Sequence, residues 1–579
     1  MAGPSKGASI SWRATAATDP GGARLVLWWA LAMAIVALLR IGAAPLFDVD
    51  EGAFSEATRE MLASGDWGHT TLNGEPRFDK PILIYWLQAA SVAVFGLGEL
   101  ALRLPSALAT WGWALALVLF AWPRWGAAAA VAAGSVLGTS VGVLLIGRAA
   151  TADAVLNLWL TLAALDLWRH LEGEGDRGAL RRAALWIGLG VLTKGPVAII
   201  VPGAAWLLWT LCAGRAAWLA RARALLGDAP AWVILLLVAL PWYVYALDRH
   251  GMAFIDGFFV RHNLQRYGGT LEGHGGSIGY YALMMPLLLM PWSVLLLPVL
   301  AGWRRWWAEP AARFLLLWAG FVLVFFSLSG TKLPHYALYG ISPLALLAGR
   351  CCSELTGRAD RRVLKAALGL CVMLLPLLAV LATAIVLRSL DGVKDALYRA
   401  LIGQPADLTG LWIAAVAAAG LSLVLAGPPV WRRTGGARSA TPDLVRIGLA
   451  AAAGALVLTG VLAPWWGQQL QGPVRAAGQR ARIELAAPDT PARATLVQWG
   501  LHLPSVAVYA RREAPRRAPR PGDLALLRSD QLQALTTTLA ADPASRRAAD
   551  VPADRPVWTS LHSAGGLTLI RWHGVPAAP

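Results

Sequence analysis

Apolar runs succeed one another from Leu25 to Ala463, separated by short polar turns, and the pattern changes only near the C-terminal end. A helix needs about 20 apolar residues to cross a bilayer core. Spans are accordingly expected over residues 25–44, 101–121, 127–146, 154–168, 183–193, 196–213, 230–247, 278–300, 314–328, 336–349, 366–387, 408–427 and 445–463, about thirteen in all. Several are short, which predicts kinks. The longest segment between spans runs from Pro45 to about Leu100. In it, DVDEGAFSEATREM places Phe54, Ala57 and Met61 at helical spacing with Glu56, Arg59 and Glu60 between them. This predicts a short amphipathic helix on the membrane surface, with acids at its N-terminus. Asp48 and Glu51 could form a simple capping box there. Capping needs one acid, and Asp48, Asp50 and Glu51 stand together, which favours chemistry. After GDWGHTTLNG, a run of turns, a second apolar stretch begins beyond Lys80. Counting it as a span would invert every later loop, so it is read as a second interfacial helix.

Beyond Trp466 short apolar runs (ATLVQW, SVAVYA, DLALL, GLTLIRW) alternate with Pro, Gly and Arg. They read as strands and one or two helices of a small α/β domain, with strand followed by helix over 522–535. The expected organisation is a disordered cytoplasmic segment 1–23, a membrane domain 24–463 that includes the loop 45–100, and a periplasmic C-terminal domain 464–579.

Composition agrees with a polytopic membrane protein: 57% of the 579 residues are hydrophobic and 15% charged, against about 25% charged in soluble proteins. The 29 tryptophans suit interfacial belts. A net charge of +17 would raise the question of nucleic acid, but the arginines cluster between spans, at 169–182, 214–223, 303–307, 357–362 and 431–433. With the N-terminus inside, each cluster falls on the cytoplasmic side and the tail falls outside. Membrane lipids, not nucleic acid, are the expected surroundings. Cys212, Cys351, Cys352 and Cys371 form no CxxC pattern, so neither a disulfide framework nor a zinc-thiolate site is expected.

The polar residues of the outer segments are of a different kind. Asp50, Glu51, Arg59, Asp79, Lys80, Arg103, Arg148, Asp153, His262, Asn263, Arg266, Lys332 and His335 all fall on one face. Carboxylates mixed with several cations suit a phosphate-bearing substrate, held by Arg and Lys, with an acid to orient or deprotonate the attacking group. Plainer readings stand beside these. Arg103 anchors a span equally well, Lys194 in LTKGP is equally a helix boundary, His262 is a loop histidine and His335 a helix start. A transporter of a lipid-linked sugar would share the phosphate grips, but it would place polar groups near the middle of several spans. The spans here are nearly free of charge in their middles.

The motifs DVDEGAFSEATREMLASGDW, FDKPILIYWLQ, ELALRLPSALA, RAATADAVLN, LTKGP and SGTKLPHYALYGISPLALLAGR occur in this order. Together they resemble the bacterial lipid A aminoarabinose transferases and, more broadly, the protein O-mannosyltransferase branch of the GT-C glycosyltransferases. The resemblance covers roughly the first 350 residues, and GLHLPSVAVYARR resembles the family's periplasmic segment. It implies a mainly α GT-C fold and an enzyme that moves a sugar from a polyprenyl-phosphate donor, such as undecaprenyl phosphate, to a lipid or glycan acceptor. Lipid A is the first choice; a protein O-glycosyltransferase of the same fold is the alternative. It implies Asp50 as catalytic carboxylate, Asp153 as a second acid, and Lys80 and Arg266 as phosphate ligands. Glu51, Arg59, Asp79, Tyr85, Asn263, Lys332, His335 and Tyr339 complete the expected substrate-binding set. Asp79 replaces the family's glutamate with a shorter arm, and Asn263 takes the place of its histidine, with His262 one residue away. A divalent metal is left an open question, with Asp79 and His262 as its candidates.

Overall fold

The computed structural model describes residues 15–574 apart from 16, 174–175, 271–272, 274, 357–361, 432–440 and 542–556. Most of the expected N-terminal disorder and most of the arginine clusters at 357–362 and 431–433 lie outside the described residues.

Every segment read as a span is helical. Among the described residues seven helices are long and apolar enough to cross a membrane alone. The pair Tyr280–Leu289 and Trp292–Ala301, bent by 116°, makes an eighth if it is one span. Helix Glu99–Gly138 is two helices joined at Gly126, whose φ of 81° breaks the run between the two expected spans. The remaining expected spans are shorter or more polar. Asp153–Glu172 shows why: most of its residues are buried against other helices, so it has no need of an all-apolar surface.

The loop 45–100 holds both expected helices, Asp50–Ser64 and Leu83–Phe95, joined by a hairpin of Thr71–Leu72 with Glu75–Pro76. The first helix does not lie open on the membrane. Glu51 to Thr58, Glu60 and Met61 are buried, because the helix packs between Leu83–Phe95 and the tail helix Ser505–Ala510. Nor is it capped by an acid: its N-cap is Val49, with no side-chain bond. Asp48 instead accepts hydrogen bonds from the Ser505 amide (2.8 Å) and hydroxyl. A Cβ on Gly52 would lie 2.1 Å from Asp48 Oδ1 and 2.6 Å from the Ser505 nitrogen, so this contact requires glycine. Gly52→Ala should therefore loosen the tail domain, at about 1–3 kcal/mol for overpacking. Faster limited proteolysis of the tail would be the sign.

The last span runs through a π-helical turn, Leu458–Leu462, directly into helix Ala463–Leu485, so no linker marks residue 464. The tail then forms a four-stranded sheet in the order Leu496–Gln498, Leu524–Arg528, Leu567–Trp572, Trp558–Ala564. The first pair is parallel and the others antiparallel. Of the runs read as strands and one or two helices, SVAVYA is the helix Ser505–Ala510. An apolar run buried on all sides carries no period to separate the two.

Tail and loop meet again where the Ala514 amide donates to Asn73 Oδ1 (2.9 Å) and where the Tyr509 hydroxyl donates to Glu99 (3.1 Å) and accepts from the Leu46 amide (2.7 Å). Both therefore lie on one side, as the alternation of spans requires. About 37 Å along the helix from Glu99, Arg124 pairs with Glu172, and Arg350 lies against Trp125 while pairing with Glu309 (2.6 Å). Arg305 joins them through Glu354 (2.6 Å). These arginine-rich turns share the opposite end.

Candidate active site

The segment between the hairpin and Leu83–Phe95 carries Arg77, Asp79 and Lys80. Asp79 is gripped on both oxygens, by Arg77 (2.8 Å) and by His262 Nε2 (2.7 Å). Burial alone would raise its pKa, but the His262 hydrogen bond and the Arg77 charge outweigh it and hold the carboxyl well below the usual range. Arg77 also donates to the Tyr85 hydroxyl at 3.4 Å. Lys80 Nζ donates to the Asp79 carbonyl at 2.9 Å. Burial, reinforced by the neighbouring charge of Lys194, pushes Lys80 down to about 8.

A π-helix, Ile255–Gln265, brings His262 and Asn263 to the same place and is followed directly by Arg266. The Asn263 side chain donates to the Phe258 carbonyl at 2.7 Å. From the bundle, Lys194 pairs with Asp153, which lies 3.7 Å from His335 Nε2. The Lys194 ammonium also lies 5.5 and 5.8 Å from the rings of Tyr336 and Tyr339. Asp79, His262, Asn263, Tyr336 and Tyr339 line a cavity of about 420 Å³, with Lys80, Lys194 and Arg266 in its wall and aromatic rings such as Phe259 and Phe325 beyond them; Asp153 and His335 stand behind Lys194, outside the lining. Three cations face it, and the acids beside them are already engaged. Such a site favours an anion with an apolar tail.

A second cavity, of about 700 Å³, holds Asp50. Arg40 and Arg148 line it as well, and Leu375, Leu458 and Leu462 give it an apolar wall. Asp50 is exposed, in the first turn of its helix. Arg77, which pairs with Asp79, also lies within range of the Asp50 charge. The single chamber expected from the sequence is thus a pair of neighbouring ones. Every other acid lining them is engaged: Asp48 by Ser505, Glu51 by Arg103, Asp79 by Arg77 and His262. Asp50 makes no hydrogen bond or ion pair among the described residues.

Four residues expected at the substrate are committed to the framework instead. Glu51 accepts from the Phe47 and Ala150 amides (2.8 and 2.6 Å) and from Arg103 on both oxygens (2.7 Å each). Arg103, 3% exposed, also donates to the carbonyls of Ile41, Ala44 and Pro45 (3.1, 2.6 and 2.7 Å). It clamps the first span to the loop, at the wall of the Asp50 cavity. Removing one partner strands a buried charge, so Arg103→Ala should destabilise the purified protein by about 3–5 kcal/mol in a thermal unfolding assay. Arg59 is held by Glu56 (2.8 and 2.6 Å) and lines neither cavity. Lys332 is spent on the carbonyls of Ser327 and Ser329 (3.1 and 2.5 Å). Tyr85 is fully buried behind Arg77.

One contributor is missed by the sequence reading: Arg77 stands two residues before Asp79 in EPRFDK, and that proximity is the available signal. Lys194, in sequence equally a helix boundary, faces the cavity and pairs with Asp153. The metal question finds a poor fit: among the described residues no three His, Cys, Asp or Glu side chains form a metal-holding group, and Arg77 holds the second oxygen of Asp79.

Comparison with known proteins bears on this arrangement. Residues 79–245 match the family of dolichyl-phosphate-mannose-protein mannosyltransferases. Over nearly the whole chain the architecture is that of a solved protein, ArnT from Cupriavidus metallidurans bound to undecaprenyl phosphate. The TM-score is 0.73 at 21% identity, covering 94% of this chain and 97% of that one. The chain has the GT-C fold of ArnT. In sequence it resembles the undecaprenyl phosphate-alpha-4-amino-4-deoxy-L-arabinose arabinosyl transferases. That of Edwardsiella ictaluri is 32% identical over 341 residues, 57% of this chain and 60% of the relative. That of Yersinia pestis is 32% identical over 356 residues, 60% and 62% respectively. The matched stretch thus spans about three fifths of these relatives' length.

Proposed function

We propose that the protein is an inner-membrane glycosyltransferase that moves aminoarabinose from an undecaprenyl-phosphate carrier to lipid A at the periplasmic face. The observation that carries this reading is the pairing of a cation-lined cavity with a larger, apolar-walled one that presents a carboxylate with no hydrogen bond or ion pair among the described residues. The first would take the donor phosphate, and the second a lipid acceptor. The names of the similar proteins supply the sugar and the carrier.

The chemistry follows from charge. An acceptor oxygen forms a bond to the anomeric carbon from the face opposite the phosphate. The carbon–oxygen bond to phosphate breaks, and its electron pair leaves with the polyprenyl phosphate, so configuration inverts. The leaving phosphate gains negative charge as the reaction proceeds. Lys80, Lys194 and Arg266 therefore interact more strongly with the transition state than with the donor, which is what accelerates a reaction. Asp50 orients the acceptor and takes its proton if it is a hydroxyl; an anionic lipid phosphate needs orientation alone. Asp153 holds Lys194 in place. Reconstitution in liposomes with undecaprenyl phosphate-aminoarabinose and lipid A tests the reading. Mass spectrometry should find aminoarabinose bonded to lipid A; intact donor moved across the bilayer without transfer would instead indicate a transporter.

A further inference from the structure

A third cavity, of about 240 Å³, lies where the tail domain meets the loop. Asp48, Val49 and Leu470 line both it and the Asp50 cavity, so the two adjoin. Its other walls include Tyr398 in helix Ala396–Ile402, Gln471 in helix Ala463–Leu485, and His502 and Arg528 of the tail. Gln471 is 3% exposed, and neither its Oε1 nor His502 Nδ1 finds a hydrogen-bond partner among the described residues. A buried polar group without a partner costs about 1–3 kcal/mol. Two of them on one small cavity point to a ligand that supplies the missing bonds.

The lining also says what kind of ligand. Burial, with the charges of Arg516 and Arg77, holds His502 below the usual histidine range. Its neutral ring then offers one donor and one acceptor. Gln471 likewise offers both. Arg528 is paired with Asp530 (2.5 Å), and Asp48 and Asp395 add carboxyl groups to the lining, so the cavity carries no surplus of positive charge to attract a phosphate. Tyr398, Leu501 and Leu503 add apolar surface. Donors and acceptors in equal measure beside apolar faces match a sugar ring, whose hydroxyls do both and whose C–H faces are apolar.

We propose that this cavity is a saccharide subsite, in which His502 and Gln471 hydrogen-bond the hydroxyls of an acceptor sugar ring one unit removed from the reacting group. The inference rests on reading the Asp50 cavity as the acceptor's. It also gives the tail domain a task, that of recognising the acceptor. A site built around hydroxyls rejects an analogue lacking them.

The test uses the full chain in nanodiscs and two probes, disaccharide lipid A and a monosaccharide-headed lipid bearing the same reacting group. Wild type should bind the disaccharide about tenfold more tightly. His502→Ala should erase that difference while leaving the monosaccharide lipid's affinity unchanged, and His502→Gln, which keeps a donor and an acceptor, should restore it. Should His502→Ala fail to fold, Gln471→Leu carries the same expectation. Equal binding of both lipids by wild type, or a preference that survives the variants, overturns the proposal. Because the readout is binding, it is separable from turnover. A preference without sugar transfer would defeat the transferase reading and leave the subsite standing; transfer without a preference would do the reverse.

Discussion

Asp50→Asn should reduce sugar transfer by about a hundredfold, the scale of loss when an oriented acceptor is misplaced, with the protein still folded and still binding its donor. The expectation comes from elimination inside the structure. Asp48 is bound to the tail by Ser505, Glu51 is braced by Arg103, and Asp79 is shared by Arg77 and His262. Asp153 answers Lys194 and lies in the bundle. Asp50 alone among the described acids lining the two large cavities keeps its carboxylate for a substrate, and its side chain is exposed. The contrast with its neighbour sharpens the point. Glu51→Gln leaves a buried guanidinium unpaired, so it should lower the unfolding temperature, whereas Asp50→Asn should not. Transfer at the wild-type rate by a folded Asp50→Asn preparation would remove the carboxylate from the mechanism.

Lys80→Ala should cost about 10²–10³-fold in kcat/KM for the donor, the range for losing one preorganised charge partner of a leaving group. This loss should fall on donor binding as well as on rate, since the ammonium meets the phosphate in both states. A pH profile gives an independent check. Burial and Lys194 depress the Lys80 pKa to about 8. The folded protein therefore carries the charged, phosphate-binding form below that pH and loses it above. The donor's phosphodiester stays a monoanion throughout. kcat/KM for the donor, which reports the free enzyme, should fall as pH rises through about 8. Lys80→Arg should move that limb to higher pH, because a guanidinium does not deprotonate there. A limb that stays in place in Lys80→Arg would mean that another group titrates.

Apolar periodicity was enough to read the bundle, because lipid-facing and core-facing helices both demand long apolar runs. It was also enough to place the loop helices, because counting residues 81–95 as a span would have put the arginines on the wrong side. The gaps were of another kind. That Asp50–Ser64 is roofed by the tail depends on contacts across more than four hundred residues, such as Ser505 with Asp48, and no local pattern announces them. Glu51, Arg59 and Lys332 read as ligands, and Arg103 as ligand and anchor alike, because a charged residue at a membrane boundary looks alike whether it holds a substrate or a backbone carbonyl. Arg103 makes the case: its donors end on Glu51 and three carbonyls. His262 reads first as a loop histidine and second as a metal candidate, and a π-helical segment turns it onto Asp79 at 2.7 Å. The division of the site into two cavities was equally invisible, since Asp50 and Lys80 are near in sequence.

That division is the heart of the account, and equilibrium binding of radiolabelled undecaprenyl phosphate-aminoarabinose to Asp50→Asn addresses it most directly. With Lys80, Lys194 and Arg266 in one chamber and Asp50 in the next, the variant should bind the donor with wild-type affinity while failing to transfer its sugar. A donor affinity that collapses in Asp50→Asn as it does in Lys80→Ala would contradict the arrangement.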